Sequence, residues 1–542
     1  MTATAATTGV VPAARTGGSR HLAGTRPLLR LALRRDRIMI PVWVLVLGAS
    51  YLSVSNSYSS LYGTAAARAD VVRSMSANSS LRALYGPFFT DSIGGLTTAR
   101  MIAFGSALAA VMSLLIVVRH TREEEETGRQ EMLSSAMVGR RAPLTAALLT
   151  ALIANAALAL VITGGLAGGT GDTTGSLALG LATAGVGMLF ACTAAIAAQI
   201  TENARLAKGL TGAVVGAAFV LKAAGDAATD DGSSVLTWLS PIGWAENVRA
   251  YADERWWALL ILAAAVAVQA VLAYALTGRR DIGMSFLPAR PGPAAGRLGT
   301  AGALALRLQR GSLIGWGAGF LVAGILFGGI TEGAAELVGD NERTKEIFER
   351  MGGHQGLTDS FLAAMTGMLG MVAALYVVAS VLRLYGEETG GRAEPVLAGS
   401  VGRLRWAAGH LLIAFAGAVL IMLLGGVGLF LGYGHGLPGI LGAALVQLPA
   451  IWLLGALAVL LYGALPKAAV AAWAVAGLVL ALGWIGPAID LPQAVMNLSP
   501  FGHLPKLPGA EMAWTPVAVL TALAAALTAA GLAGLRRRDM LN

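Results

Sequence analysis

Charged residues along this chain come in bunches, separated by long runs that contain no Asp, Glu, Lys or Arg. Such runs cover residues 38–67, 101–118, 142–171, 173–201 and 256–278, and a shorter one at 209–225 is interrupted only by Lys222. The second half shows the pattern again over 311–331, 360–382, 468–489 and 512–535, with one further run of 61 residues from Trp406 to Pro466. A bilayer core of ~30 Å takes about 20 helical residues to cross. The longest run therefore holds two helices, broken at the turn-forming stretch Gly432-Tyr433-Gly434-His435-Gly436-Leu437-Pro438-Gly439. The pattern predicts an all-α polytopic membrane protein with twelve transmembrane helices, six before a linker and six after it. The expected layout is an N-terminal segment 1–37, a six-span block 38–278, a linker 279–310, a second six-span block 311–535 and a tail 536–542.

Composition agrees. The chain is 56% hydrophobic and 13% charged, against about 25% charge in a soluble domain, which excludes an ordinary soluble enzyme. The first 37 residues lack the apolar core of a cleaved signal peptide. Basic residues concentrate on the cytoplasmic side of membrane proteins. With the N-terminus inside, cytoplasmic segments hold 28 of the 39 Lys and Arg but only 12 of the 30 acids. The net charge of +9 thus reads as a topology signal rather than a nucleic-acid footprint, and both termini are expected in the cytoplasm.

The chain also carries an internal repeat. Glu125-Glu126-Thr127-Gly128-Arg129-Gln130-Glu131 returns as Glu387-Glu388-Thr389-Gly390-Gly391-Arg392-Ala393-Glu394, each followed by a Gly-Arg pair at Gly139-Arg140 and Gly402-Arg403. Ser240-Pro241-Ile242-Gly243-Trp244 returns as Ser499-Pro500-Phe501-Gly502-His503, Arg279-Arg280-Asp281 as Arg537-Arg538-Asp539, and Thr90-Asp91-Ser92 as Thr358-Asp359-Ser360. Six spans is an even number, so both halves enter the membrane from one side and form parallel repeats, a pseudo-dimer in one chain.

Several segments invite a functional reading. The loops 122–141 and 384–405 mix acids with arginines, and Glu123 to Glu126 are four like charges in a row. Their duplication favours docking onto a soluble partner with opposed charge over a plain solvated hairpin. Basic amphipathic stretches precede each block, one with Arg26, Arg30, Arg34 and Arg37, the other over Leu304-Ala305-Leu306-Arg307-Leu308-Gln309-Arg310. Such stretches lie in the headgroup plane. Segments 66–86 and 332–353 have helical spacing and are expected outside, where either would cover an exit path. The Ser-Pro-x-Gly segments read as short helices dipping into the outer leaflet or as interfacial loops, with Trp238, Trp244, Trp256 and Trp257 in the aromatic belt. Lys222 is expected to snorkel or to pair locally with Asp226. Met365, Met368 and Met371 recur every three residues, and Met101, Phe104 and Met112 occupy the matching span of the first half. They are candidates for an apolar substrate pathway, with ordinary helix packing as the plainer reading.

No Gly-x-x-x-x-Gly-Lys-Ser/Thr phosphate loop, His-Glu-x-x-His motif or Cys/His cluster is present in the sequence, so no catalytic residue, metal or cofactor is expected in this chain. Energy from ATP would have to come from another protein. A proton-coupled antiporter of twelve spans is the main rival reading; such carriers place titratable groups in their spans, and here Lys222 alone qualifies. A membrane enzyme or lipid scramblase has no nucleophile–base or metal constellation to support it. A sensory permease signalling through an ATPase is a further reading.

The six-plus-six layout, the paired Glu-Glu-Thr-Gly…Arg…Glu loops and Ser240-Pro241-Ile242-Gly243-Trp244-Ala245-Glu246-Asn247-Val248-Arg249 ahead of Trp256-Trp257 resemble type-2 ABC exporter permeases of bacteria. Within these they are similar to the actinobacterial branch described as polyketide-antibiotic, or tetronasin-like, exporters, and the likeness covers nearly the whole chain from about residue 25. The resemblance implies a plasma-membrane subunit for efflux of a hydrophobic small molecule, drug or antibiotic. It implies two copies of an ATP-binding-cassette ATPase as partner, with ATP and magnesium held there. It implies coupling helices at Glu125, Glu126, Gly128, Arg129 and Glu131, and at Glu387, Glu388, Gly390, Arg392 and Glu394. The amphipathic stretches would be connecting helices, the Ser-Pro-x-Gly segments re-entrant helices, and substrate would pass between second and fifth spans. The second half departs in having His503 where the first has Trp244, and no Ala-Glu-Asn-Val-Arg follows it.

Overall fold

The apolar runs become helices, and at 101–118, 209–225 and 360–382 the helix extends past the run at both ends. A computed structural model describes residues 21–134, 138–280, 284–286, 298–331, 356–485 and 492–540. Segment 332–353, expected outside, and the proline-rich part of the linker, residues 287–297, lie outside the described residues. The described residues are helix and connection without strands, and the chain divides into two units, Met1–Pro291 and Gly292–Asn542.

In the first unit, a short helix α1 (Thr25–Arg35) leads into the first span, α2 (Met39–Leu61). Helices α3 (Ala65–Ala77) and α4 (Ser79–Tyr85) follow, then the second span α5 (Ile93–Arg119). Two short helices, α6 (Arg122–Glu126) and α7 (Arg129–Ser134), precede spans α8 (Ala142–Thr170), α9 (Thr173–Ile200) and α10 (Ala204–Ala228). Helices α11 (Val235–Leu239) and α12 (Pro241–Glu246) then lead to the sixth span, α13 (Trp256–Thr277). The second span lies at the centre, packed by α2, α8, α9 and α10. Polar side chains inside this core find partners on neighbouring helices, which lowers the cost of burying them in an apolar medium: Tyr51 Oη lies 2.9 Å from Thr183 Oγ1, and Asn155 Nδ2 donates to Ser113 Oγ at 2.8 Å.

In the second unit the first span is α14 (Ala301–Gly329) and the second α15 (Leu357–Thr389). A one-turn helix α16 (Glu394–Leu397) precedes α17 (Arg403–Tyr433). Helices α18 (Leu437–Val446) and α19 (Leu448–Ala464) make one crossing, interrupted where Pro449 lacks an N–H to give. Then come α20 (Ala471–Ile485), α21 (Gln493–Met496) and α22 (Trp514–Arg537). Helix α14 packs along α17, and α19 along α22, through glycines that bring main chains together.

Eleven helices among the described residues are long and apolar enough to cross a membrane. The remaining expected span is α20, apolar but 15 residues long, and residues 486–491 after it lie outside the described set. One expectation needs correction. The stretch Leu304–Arg310 is not a separate amphipathic helix; it forms early turns of the continuous α14. Gln309 is buried there, with Nε2 3.1 Å from His410 Nδ1. In the first unit the matching junction breaks because Asp36, which ends α1, is buried beside His120 Nε2 at 2.6 Å and Arg119 at 2.8 Å.

Candidate functional site

At one end of the first unit, α6 is made of Arg122 and four glutamates, and most of those charges turn inward. Glu125 is held by Arg280 just past the sixth span, with Nη1 2.8 Å from Oε2 and Nη2 2.5 Å from Oε1, a bidentate fork. Arg280 Nε donates to Gln199 Oε1 at 2.6 Å, and Arg140 donates to the Arg280 carbonyl at 2.5 Å. Arg122, almost fully buried, also pairs with Glu125; Glu124 pairs with Arg35 of α1, and Glu123 with Lys208 of α10. A cavity of about 440 Å³ opens beside this cluster, bordered by Glu125, Gln130, Arg140 and Arg280.

The second unit builds the same device. Arg538 Nη1 and Nη2 donate to Glu388 Oε1 and Oε2 at 2.6 and 2.7 Å, and Arg403 donates to the Arg538 carbonyl at 2.7 Å. The fourth span adds Tyr462, whose hydroxyl donates to Glu388 at 2.5 Å. The Glu388 hydrogen bonds raise Arg538 above the ordinary guanidinium range, so it stays charged. In each unit the acid lies at the end of the segment that leaves the second span, and the fork ties that end to the sixth. The repeated Arg-Arg-Asp and Gly-Arg motifs are visible in the sequence, yet nothing there reveals them as partners of the glutamates.

The geometry also shifts the register between the two copies by one residue. Glu125 corresponds to Glu388 rather than Glu387, and the left-handed turn at Gly128 (φ 71°) corresponds to Gly391 (φ 69°) rather than Gly390. Glu387 is buried and held by Arg383 at 3.4 Å and Arg392 at 2.9 Å. Gly390 ends α15 in an ordinary conformation. What remains exposed is Glu126, Arg129 and Glu131 in the first unit, and Arg392 and Glu394 in the second.

The apolar candidates separate. Met101, Met112, Met365 and Met371 are buried among helices. Phe104 is 36% exposed and its ring lies 5.6 Å from that of Phe219, joining second and fifth spans of the first unit. Met368 borders a groove of about 560 Å³ in the second unit, floored by Gly311, Gly315 and Gly319 and walled by Trp316 and Phe320. That volume and lining suit a lipophilic small molecule.

At the opposite end of the first unit, Lys222 does not snorkel. It is fully buried, 2.7 Å from Asp226 and 3.0 Å from Glu246, a second partner that sequence reasoning missed. Trp238 stacks on Trp257 at 5.5 Å. Trp244 Nε1 donates to the Trp238 carbonyl at 2.6 Å, and His503 Nε2 lies 2.9 Å from the Asn497 carbonyl, also six residues upstream. The exchange of Trp for His thus keeps the same ring-to-carbonyl tie. Among the described residues no cluster of His, Cys, Asp and Glu has the makings of a metal site.

A sequence profile described as "Multidrug efflux system permease Rv1217c, C-terminal domain" matches residues 26–277 and 298–536. The multidrug efflux system permease protein Rv1217c of Mycobacterium tuberculosis is 42% identical over 532 residues, 95% of either chain.

Proposed function

The chain belongs to the Rv1217c family of multidrug efflux system permeases, and from that premise we propose that it is the membrane subunit of an ATP-binding-cassette exporter, moving hydrophobic small molecules, drugs or antibiotics out of the cell. The observation that carries this reading is the paired fork, Glu125–Arg280 and Glu388–Arg538. A segment that receives force from a partner must be fixed to the spans it moves, and in both units the fork fixes it to the sixth span. The exposed charges beyond each fork form the docking surface for two ATPase copies, which would bind ATP and magnesium themselves. On this reading the forks and both termini face the cytoplasm, and the two units are parallel copies. The Phe104–Phe219 face and the groove beside Met368 would receive substrate. Within such exporters the repeated motifs resemble those of the polyketide-antibiotic branch.

The rival, a proton-coupled antiporter, would draw on the buried charges around Lys222. Co-expression with an ATP-binding-cassette ATPase separates the two. Glu126→Lys combined with Glu394→Lys should abolish co-purification and ATPase stimulation while leaving the melting temperature of the permease unchanged, because both side chains are exposed. Glu388→Lys is the wrong probe, since it also opens a buried fork. Undiminished capture by the double variant would sink the docking assignment, and absence of any ATPase from the wild-type preparation would sink the exporter reading.

A further inference from the structure

Three ionisable side chains meet, buried, in the first unit. Lys222 of α10 lies 2.7 Å from Asp226 Oδ2, one turn on, and 3.0 Å from Oε2 of Glu246, at the end of α12. None of the three is more than 2% exposed. Asp226 is the better satisfied acid, since its other oxygen accepts from Thr237 Oγ1 at 2.8 Å. Among the described residues Glu246 Oε1 has no hydrogen-bond partner. Gly86, at φ 93°, closes the cluster from the end of α4: a Cβ there would stand 2.8 Å from Glu246 Oε2 and 3.0 Å from Lys222 Nζ.

Two carboxylates facing one ammonium carry a surplus negative charge when all are ionised, and burying an uncompensated charge is costly. Neighbouring elements do little to cancel it. Arg82 of α4 spends its guanidinium on the main-chain carbonyls of Asp226 and Ala227, at 3.2 and 3.0 Å, and is itself part-exposed. Arg100 of α5 lies over the Tyr85 ring at 4.1 Å. From α9, Asp172 caps its own helix through Gly175 N; α11 brings no ionisable group, and the only one in α13, Tyr274, binds Thr145 instead. Beyond α12, Arg249 binds the Asp231 carbonyl and Glu254 accepts from Tyr251 N.

We propose that this cluster is a proton-binding site, with Glu246 holding the proton as a neutral carboxylic acid and releasing it to water at that face as pH rises. The bond broken is the carboxyl O–H, and the electron pair stays on Glu246. Burial acts most strongly on this carboxyl and raises it; the Lys222 charge pulls it back and the Asp226 charge pushes it up again. The protonated cluster is neutral and latches α10, α12 and the α4 turn together. Deprotonation leaves it negative and loosens the latch. Because the acid is raised in the folded state, its contribution to stability is full at low pH and is lost as pH rises through the folded value. Among the described residues of the second unit, neither α20 nor the stretch from Ser499 to Ala510 contains an acid to match Asp226 and Glu246. The inference stands under either reading of the energy source.

The test is infrared pH-difference spectroscopy on the full chain in lipid nanodiscs, with parallel melting curves. Wild type should show a protonated-carboxyl carbonyl band that disappears at alkaline pH, and its melting temperature should fall as pH rises above the ordinary glutamate range and level off where the band is lost. In Glu246→Gln the band should be absent and melting flat with pH. Asp226→Asn, which leaves Glu246 alone with Lys222, should move the midpoint down by roughly one pH unit or more, and decides the matter if the glutamine variant does not fold. No titrating band in wild type, the same band in Glu246→Gln, or an unmoved midpoint in Asp226→Asn would overturn the proposal.

Discussion

Glu125 and Glu388 hold equivalent positions, and their neighbours explain why the pairing is hard to read from the motif alone. Aligning Glu-Glu-Thr-Gly with itself puts Glu125 beside Glu387, whereas the bidentate arginine selects Glu388. In the structural register residues 124–131 align with 387–394 without a gap, and Gly391 takes the left-handed conformation that Gly128 takes in the first. The forks join residues 155 and 150 positions apart. Single-sequence periodicity reports only neighbours within a turn or two, so such partners stay invisible even when both motifs are seen to repeat. The same reason hid Glu246 from Lys222. Removing one member of a buried ion pair costs about 3–5 kcal/mol, mostly from the charge left behind. Arg538→Ala should therefore lower the melting temperature markedly. Arg538→Lys should recover part of it, because an ammonium keeps the charge and loses the fork. Equal stability of the lysine variant and wild type would show that the two-pronged geometry contributes nothing.

Among helices, hydropathy located eleven spans in the described residues and missed where several of them end. The charge-free run 101–118 became α5, Ile93–Arg119, and 360–382 became α15, Leu357–Thr389. Helix ends are set by caps and ion pairs: Ser92 accepts from Gly95 N at 3.0 Å to start α5, and Asp36 pulls the chain out of helix between α1 and α2. The second unit has no acid at the matching junction, and α14 runs on without a break. Small residues matter more at this scale than large ones. A Cβ at Gly324, Gly328, Gly428 or Gly432 would run into the main chain of the facing helix, where α14 and α17 lie closest. Overpacking of this kind costs about 1–3 kcal/mol per site. Gly428→Ala should lower thermal stability, while Gly164→Ala, which has open space around its Cβ, should leave it unchanged. A wild-type melting curve for Gly428→Ala would mean that the two helices separate at no cost.

Across the whole molecule, the distribution of Lys and Arg makes one demand that labelling can check. If the positive-inside bias sets orientation, both forks and the exposed charges around them face the cytoplasm, while the Lys222 cluster sits toward the outside. The chain is suited to the test because its single cysteine, Cys192, is buried in α9 and closed to aqueous reagents. Ser400 and Ser233 are both exposed, one beside the second fork and one near α11. With a membrane-impermeant maleimide, Ser233→Cys should label in intact cells. Ser400→Cys should label only after permeabilisation, and the wild-type chain in neither case. The reverse pattern for the two serine positions would invert the molecule. The forks would then lie where no ATP is available, and the Lys222 cluster would lie toward the cytoplasm. Labelling at both positions in intact cells would instead place an even number of crossings between Ser233 and Ser400, where α13, α14 and α15 make three. That would break the even count per unit on which the parallel relation of the two units depends.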